Sequence, residues 1–128
     1  MRLLVDTHTL IWAVDSPHLL GAQARIALAD PKHELLISTA TVWELSIKCG
    51  LGKLKLSPDY KTWILKAVAD LSSSLLPITI EAAAVQSQLP NHHRDPFDRM
   101  LIAQSLQEGL SLVSGDGKFD QYGVSRLW

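Results

Sequence analysis

Short apolar runs alternate with amphipathic stretches along this chain. Leu3-Leu4-Val5 is a buried-strand signal that stops at Asp6. Thr7 to Val14 continues with Leu10, Ile11 and Val14 at helical spacing, which predicts a short helix. Ser16-Pro17 has the form of a cap and first turn opening a helix through Ala29, closed by Asp30-Pro31. Leu35-Leu36-Ile37 is a second strand ending at Ser38. Thr39 or Thr41 is expected to cap the following helix, which runs to Cys49 and is ended by Gly50 and Gly52. Ser57-Pro58 predicts another cap and first turn, and the helix beyond carries Trp63, Ile64, Ala67, Val68 and Leu71 as its apolar stripe. Ser72-Ser73-Ser74 is a loop too short to link domains. Leu75-Leu76-Pro77-Ile78 is a strand whose proline marks an end or a sheet edge. A helix is expected from Glu81 to Leu89, then a polar loop from Pro90 to Arg94. Leu110-Ser111-Leu112-Val113 is a further strand, and Val124 opens a last short one. There is no internal repeat and no low-complexity segment.

The segment Arg94 to Gly109 carries the clearest helix signals. Asp95 is a good N-cap, Pro96 fits the first helical position, and Asp98 falls where a capping-box acid sits. At roughly 100° per residue, Phe97, Leu101, Ile102 and Ser105 share one arc, with Arg99 and Gln107 largely opposite. Asp98 falls within the apolar arc, and a carboxylate turned toward a core is costly unless something pairs with it.

Apolar strands alternating with helices predict an α/β fold: a mainly parallel central sheet with helices on both faces, forming one domain over residues 1–128. In such sheets function gathers outside the carboxyl ends of the strands. That rule selects Asp6, after the first strand, and Asp116, after Val113-Ser114-Gly115. Glu44 lies in the helix after the second strand and Asp98 at a helix start. Each has a plain structural role available. Asp6 can cap Thr7 onward, Glu44 completes a Thr41-x-x-Glu44 capping box or pairs with Lys48, and Asp98 and Asp116 suit a helix cap and a turn. Taken together, four carboxylates at one rim would repel one another unless a cation sits among them. Oxygen-only ligands suit Mg²⁺ or Mn²⁺.

Composition changes this picture only by exclusion. Hydrophobic residues make up 47% and charged residues 20%, ordinary for a folded protein. A net charge of −1 gives no general attraction to nucleic acid, so such binding needs a local basic patch. Lys48, Lys53, Lys55, Arg94 and Arg99 are the candidates for a basic rim, with plain solvated surface the simpler reading of each. The single cysteine, Cys49, suits a reducing compartment. No stretch has the form of a signal peptide or a membrane span, and the expected location is cytoplasmic. Asp15 and Asp30 read as turn acids. His92-His93 reads as a solvated loop, and no histidine pair has zinc-site spacing. Trp12, Trp43 and Trp63 read as core or interface rather than as platforms for bases.

Several motifs resemble a known family: Val5-Asp6-Thr7-His8, Ser38-Thr39-Ala40-Thr41-Val42-Trp43-Glu44-Leu45, Lys48 with Gly52-Lys53-Leu54, Leu89 to Arg99 with its Asp95-Pro96-Phe97-Asp98-Arg99 core, and Leu112-Val113-Ser114-Gly115-Asp116. Together they resemble PIN-domain ribonucleases, most closely the VapC-type toxins of toxin–antitoxin pairs. The resemblance covers essentially the whole chain. It implies a PIN-like α/β fold and Mg²⁺- or Mn²⁺-dependent hydrolysis of RNA at Asp6, Glu44, Asp98 and Asp116. Metal would be bound by Asp6, Asp98 and Asp116, with Glu44 a direct or water-bridged ligand or the group that orients the attacking water. Hydroxyls of Thr7, Ser38 and Ser114 would hold these carboxylates, with Asp95 close behind. Ser114 stands where the family often has threonine, which keeps a hydroxyl. The implied partners are an RNA substrate, a cognate antitoxin and a second copy of the chain in a homodimer. DNA would be reached only through the antitoxin. Two rivals are a non-cutting PIN-like module that binds RNA or protein, and a phospho-accepting receiver domain. The first should lack some of the four acids. The second needs paired acids after the first strand, a phosphorylatable aspartate after a middle strand and a lysine after a late one, none of which is present.

Overall fold

The computed structural model describes residues 1–128. The strands β1 (Arg2–Val5), β2 (Glu34–Ser38), β3 (Ser74–Leu76), β4 (Ser111–Val113) and β5 (Arg126–Leu127) form one five-stranded sheet in the order β3-β2-β1-β4-β5. Every neighbouring pair is parallel, with Leu4 of β1 opposite Leu36 of β2 and Leu112 of β4. The helices are α1 (Thr7–Asp15), α2 (Ala22–Ala29), α3 (Thr39–Gly50), α4 (Tyr60–Asp70), α5 (Ile80–Ser87) and α6 (Pro96–Glu108). Two short 3-10 helices lie at Pro17–Leu19 and Gly117–Tyr122. None of the helices is long and apolar enough to cross a membrane.

Side-chain alternation along the strands separates two packed faces. Leu4, Leu36 and Leu112 point to one side, where Leu101 and Ile102 of α6 meet Phe119 and Tyr122. Val5 and Ile37 point to the other, against Leu10 of α1, Leu45 of α3 and Trp63, Ile64 and Ala67 of α4. Leu3, Leu35 and Val113 share that second face with Ala24 and Ala27 of α2. A sheet covered on both faces explains why its strands are continuously apolar rather than alternating. β3 lies at the edge and ends before Pro77, where the missing N–H costs no ladder bond.

Several boundaries differ from expectation, each for a local reason. The helix expected from Ser16 to Ala29 is broken at Leu20-Gly21. The break lets Trp128 lie against Gly21, where a Cβ would come within 2.6 Å of the Trp128 carbonyl carbon. The α3 cap is Ser38, whose Oγ accepts from the Ala40 amide at 3.0 Å, rather than Thr39 or Thr41. The α4 cap is Asp59 rather than Ser57, because its carboxylate accepts from both the amide and the hydroxyl of Thr62. The last strand starts at Arg126, beyond Val124. Asp15 is more than a turn acid, since it accepts from the Trp63 indole N–H at 3.1 and 3.2 Å.

Arg99 departs furthest from its expected place on a basic rim. It is buried, and its guanidinium donates to the carbonyls of Gln86, Leu89, Pro90 and His93 at 2.9–3.3 Å. Those of Leu89, Pro90 and His93 lie past the end of α5 without a helical partner, while that of Gln86 also accepts from the Leu89 amide at 3.2 Å. The side chain therefore ties the α5–α6 connection to α6 and fixes the course of the loop through His93. Arg99→Met leaves the carbonyls of Leu89, Pro90 and His93 short of a donor and is expected to cost about 2–4 kcal/mol. Arg99→Lys, with fewer donors and no planar fork, should recover only part of it. Urea unfolding measures both, and an unchanged midpoint for Arg99→Met would show that these bonds contribute nothing net.

Candidate active site

The strand order reverses beside β1. β1 connects through α1 and α2 to β2 on one side, while β4 returns to its other side. Crevices in open parallel sheets form at such a switch point, outside the carboxyl ends of the strands. Asp6 leaves β1 there, its amide donating to the Val113 carbonyl of β4 at 3.2 Å. One Asp6 carboxylate oxygen accepts from the Thr9 amide at 2.8 Å, so the residue does cap α1. The other accepts from the Ser114 hydroxyl at 2.6 Å, and Ser114 Oγ in turn accepts from the Asp116 amide at 3.1 Å. Ser114 thus couples the acids that end β1 and follow β4.

Glu44 enters from α3 and is almost fully buried. Its carboxylate accepts from Thr7 Oγ1 at 2.7 Å and from Lys48 Nζ at 2.6 Å. The i, i+4 pair with Lys48 is formed, whereas the capping box is not. Thr41 Oγ1 lies 3.2 Å from Thr7 Oγ1 and is part of the same polar cluster.

Asp95 and Asp98 enter from the start of α6. Asp95 is the N-cap, accepting from the amides of Phe97 and Asp98. Asp98 is half-buried, and no hydrogen bond reaches its carboxylate. Burial first, then the charges of Asp95, Glu44, Asp6 and Asp116, push its carboxyl up from 3.8 to about 7. All five acids line one cavity of about 590 Å³, together with Thr7, Lys48, Gly115 and a wall formed largely by aromatic rings.

His93 is the residue that sequence reasoning missed. Its side chain is 7% exposed, packed against Phe119 and Tyr122 at centroid separations of 5.8 and 5.9 Å. Nε2 lies 3.7 Å from an Asp98 carboxylate oxygen, and His93, Asp98 and Asp116 each offer a donor atom within 4.8 Å of the others. Its place just ahead of the Asp95 cap was the available signal. The burying partners come from the 3-10 helix at Gly117–Tyr122, which the apolar pattern did not disclose. His92 is exposed, as expected.

The structure brings Asp6, Glu44, Asp98 and Asp116 to the cavity, with Thr7, Ser114 and Asp95 beside them. Ser38 is occupied with capping α3 and makes no hydrogen bond to these acids. The tryptophans divide: Trp63 is core, Trp43 is exposed over 59% of its area with its ring against Phe97, and Trp12 lines the cavity. Of the basic residues, Lys48 lines the cavity, Lys53, Lys55 and Arg94 are exposed, and Arg99 is buried.

The residues present suit a small divalent cation. The donors are mostly carboxylate oxygens, they converge, and their mutual repulsion is only partly offset by Lys48. The imidazole of His93 adds a nitrogen donor, which Mn²⁺ tolerates better than Mg²⁺.

The family model described as PIN domain matches residues 3–124. Comparison with curated protein sequences gives no match. Among solved structures, VapBC2 from Rickettsia felis bound to a DNA fragment from their promoter is similar at a TM-score of 0.74 and 14% identity, over 100% of both chains. DNA-bound VapBC from Salmonella typhimurium is similar at 0.69 and 19% identity, over 98% of this chain and 96% of that one. VapBC-1 from nontypeable Haemophilus influenzae follows at 0.68 and 18%, over the same 98% and 96%. At these identities the likeness is one of fold.

The raised Asp98 carboxyl has a defined sign in stability. Between its ordinary 3.8 and about 7, folded protein holds a proton that the unfolded chain has released. Metal-free protein is therefore expected to lose stability as pH rises through that window, by about 1–2 kcal/mol once partial solvation is allowed for. Asp98→Asn should abolish the decline and be the more stable protein at pH 8. Urea midpoints in EDTA from pH 4 to 8 measure this, and parallel profiles for the two proteins would contradict the crowding.

Proposed function

The chain belongs to the PIN-domain family, and on that premise we propose that it is a divalent-metal-dependent ribonuclease acting as the toxin of a toxin–antitoxin pair. Asp6, Asp98 and Asp116 are the proposed metal ligands, with Glu44 a further direct or water-bridged ligand. The observation that carries this reading is the convergence of these acids on one cavity, with Asp98 left untied and its carboxyl raised by its neighbours. A structural acid placed for stability would be expected to hold a hydrogen-bond donor, as Asp59 and Asp95 do.

Bound there, Mg²⁺ or Mn²⁺ supplies a Lewis acid that withdraws charge from a phosphate oxygen and acidifies coordinated water. The remaining work falls to the chain. Ser114 and the Thr9 amide fix both oxygens of Asp6, so that its position costs nothing to organise when substrate binds. Thr7 and Lys48 orient Glu44 toward the cavity as the group that directs the attacking water. Lys48 also brings positive charge to a cavity otherwise hostile to phosphate. Water is the proposed nucleophile. The cavity is lined by no cysteine, and the hydroxyls of Thr7 in its wall and of the buried Ser114 behind it are engaged with Glu44 and Asp6 rather than with a histidine base.

The toxin assignment, the antitoxin partner, homodimer formation and a cytoplasmic location are part of the same proposal. The toxin assignment and the antitoxin partner are supported by family membership and by solved relatives that were determined as VapBC assemblies. The homodimer rests on the family resemblance alone, and the location on the sequence alone. DNA contact would then come through the antitoxin.

Purified protein is expected to cleave RNA with Mg²⁺ or Mn²⁺, to lose the activity in EDTA and to regain it on readdition. Asp6→Asn should lower cleavage at least 100-fold. Cleavage that survives excess chelator, or that Asp6→Asn retains in full, would refute the metal reading and leave a non-cutting module. Expression without a partner is expected to arrest growth, and Asp98→Asn to relieve the arrest. Normal growth with soluble wild-type protein would refute the toxin assignment while leaving the ribonuclease reading standing.

A further inference from the structure

The cavity that gathers the acids has a second wall of different chemistry. Trp12 of α1 and Trp128, beyond β5, are both half-buried and line the same space as Asp6, Asp98 and Asp116. Their rings meet at a centroid separation of 5.8 Å and an angle of 52°, and His8 extends the row 6.0 Å beyond Trp12. Trp128 sits where the backbone has left room for it. A Cβ on Gly21 would come within 2.8 Å of its Cδ1, and one on Gly115 within 2.8 Å of its Cε2. Gly115 separates Ser114 from Asp116, so the indole is seated directly on the loop that carries one of the acids. Packing on two glycines also restricts its motion.

We propose that Trp12 and Trp128 form a nucleobase-stacking subsite beside the acids, onto which one base of a bound RNA strand is turned out of its stack. The proposal rests on the ribonuclease reading and adds a base-binding subsite to it. A phosphodiester held at the acids carries its base only one sugar away, at the distance scale of a single cavity. A volume of about 590 Å³ falls in the range of sites that enclose a small organic group. Indole faces accept any base through its π-surface, and the neighbouring Leu19 and Phe119 offer no side-chain hydrogen bond, which leaves His8 as the side chain of the row able to read a base edge. The indole pair is accordingly tolerant of base identity, and a paired, stacked base in an A-form duplex does not reach it. A protein segment bearing arginine also matches acids and indoles. RNA is favoured because acids neutralised by a divalent cation attract phosphate and repel guanidinium.

Fluorescence anisotropy tests this with short end-labelled RNAs, Ca²⁺ replacing Mg²⁺ to slow cleavage. The ligands are a single strand, the same strand with abasic sites, and a duplex. Trp12→Ala is expected to weaken single-strand binding about 5- to 30-fold, while Trp12→Phe stays within about 3-fold of wild type. Abasic RNA should bind wild type and Trp12→Ala alike, and duplex binding should not depend on Trp12. Trp12→Leu, which fills the space without a flat ring, should show the same loss and serves if the alanine variant melts early. Unchanged single-strand affinity in folded Trp12→Leu would overturn the subsite and leave the wall to a protein segment. So would absence of single-strand binding by wild type. Cleavage by wild type in Mg²⁺ is scored separately. RNA cut with no dependence on Trp12 refutes the subsite alone, and Trp12-dependent binding without cleavage refutes the ribonuclease alone.

Discussion

Repulsion among carboxylates at one end of a parallel sheet is the constraint around which this molecule is arranged. Asp6 and Asp116 leave neighbouring strands, Glu44 comes from α3, and Asp95 and Asp98 open α6, so distant segments deliver like charge to one cavity. Such crowding costs stability, and the fold contains it by tying each acid but one. Asp6 has Ser114 and the Thr9 amide, Glu44 has Thr7 and Lys48, Asp95 has two helix amides, and Asp116 has the Lys118 amide. Asp98 has none of these, and its carboxyl rises to about 7. The destabilisation is concentrated on the group that a cation would relieve most.

The scaffold makes that concentration tolerable. β1 is the central strand, its residues fully buried from Leu3 to Val5, and Asp6 follows without a spacer. The position of Asp6 is therefore set by the most rigid part of the sheet. Asp98 is positioned more indirectly. Its helix is packed on the core through Leu101 and Ile102, and Arg99 on the opposite side draws in the connection that carries His93. Arg99 contributes to the site by holding a loop, with its own charge spent on backbone carbonyls.

The strands and most helices were legible from the sequence because short apolar runs and capping residues are local signals. Asp95-Pro96 and Gly109 bound α6 as read, and Pro77 ends an edge strand as read. Asp6 and Asp116 were legible because the rule about strand ends needs only the order of elements, whereas Glu44 was read from its helix after the second strand and Asp98 from its place on the apolar arc of α6. What escaped depends on contacts between segments far apart. Arg99 sits opposite the apolar arc of its helix, and only the folded α5–α6 connection converts that face from solvent to interior. His93 lies in a polar loop and is buried by Phe119 and Tyr122, from a 3-10 helix without a periodic signature. Trp12 falls on an apolar stripe like Trp63, yet one faces the cavity and the other the core. Helical period alone does not distinguish a stripe that meets another element from one that meets an opening.

The central claim is that these acids are crowded in order to receive a cation, with Asp98 the proton-bearing member when none is bound. Calorimetric titration of Mn²⁺ into metal-free protein, repeated in buffers of different ionisation enthalpy, counts the protons released on binding. With the Asp98 carboxyl at about 7, binding at pH 6 is expected to release about one proton, and binding above pH 8.5 almost none. Asp98→Asn should lower the release at pH 6. Binding that liberates no proton at pH 6, or that liberates the same number with Asp98→Asn, would contradict the account.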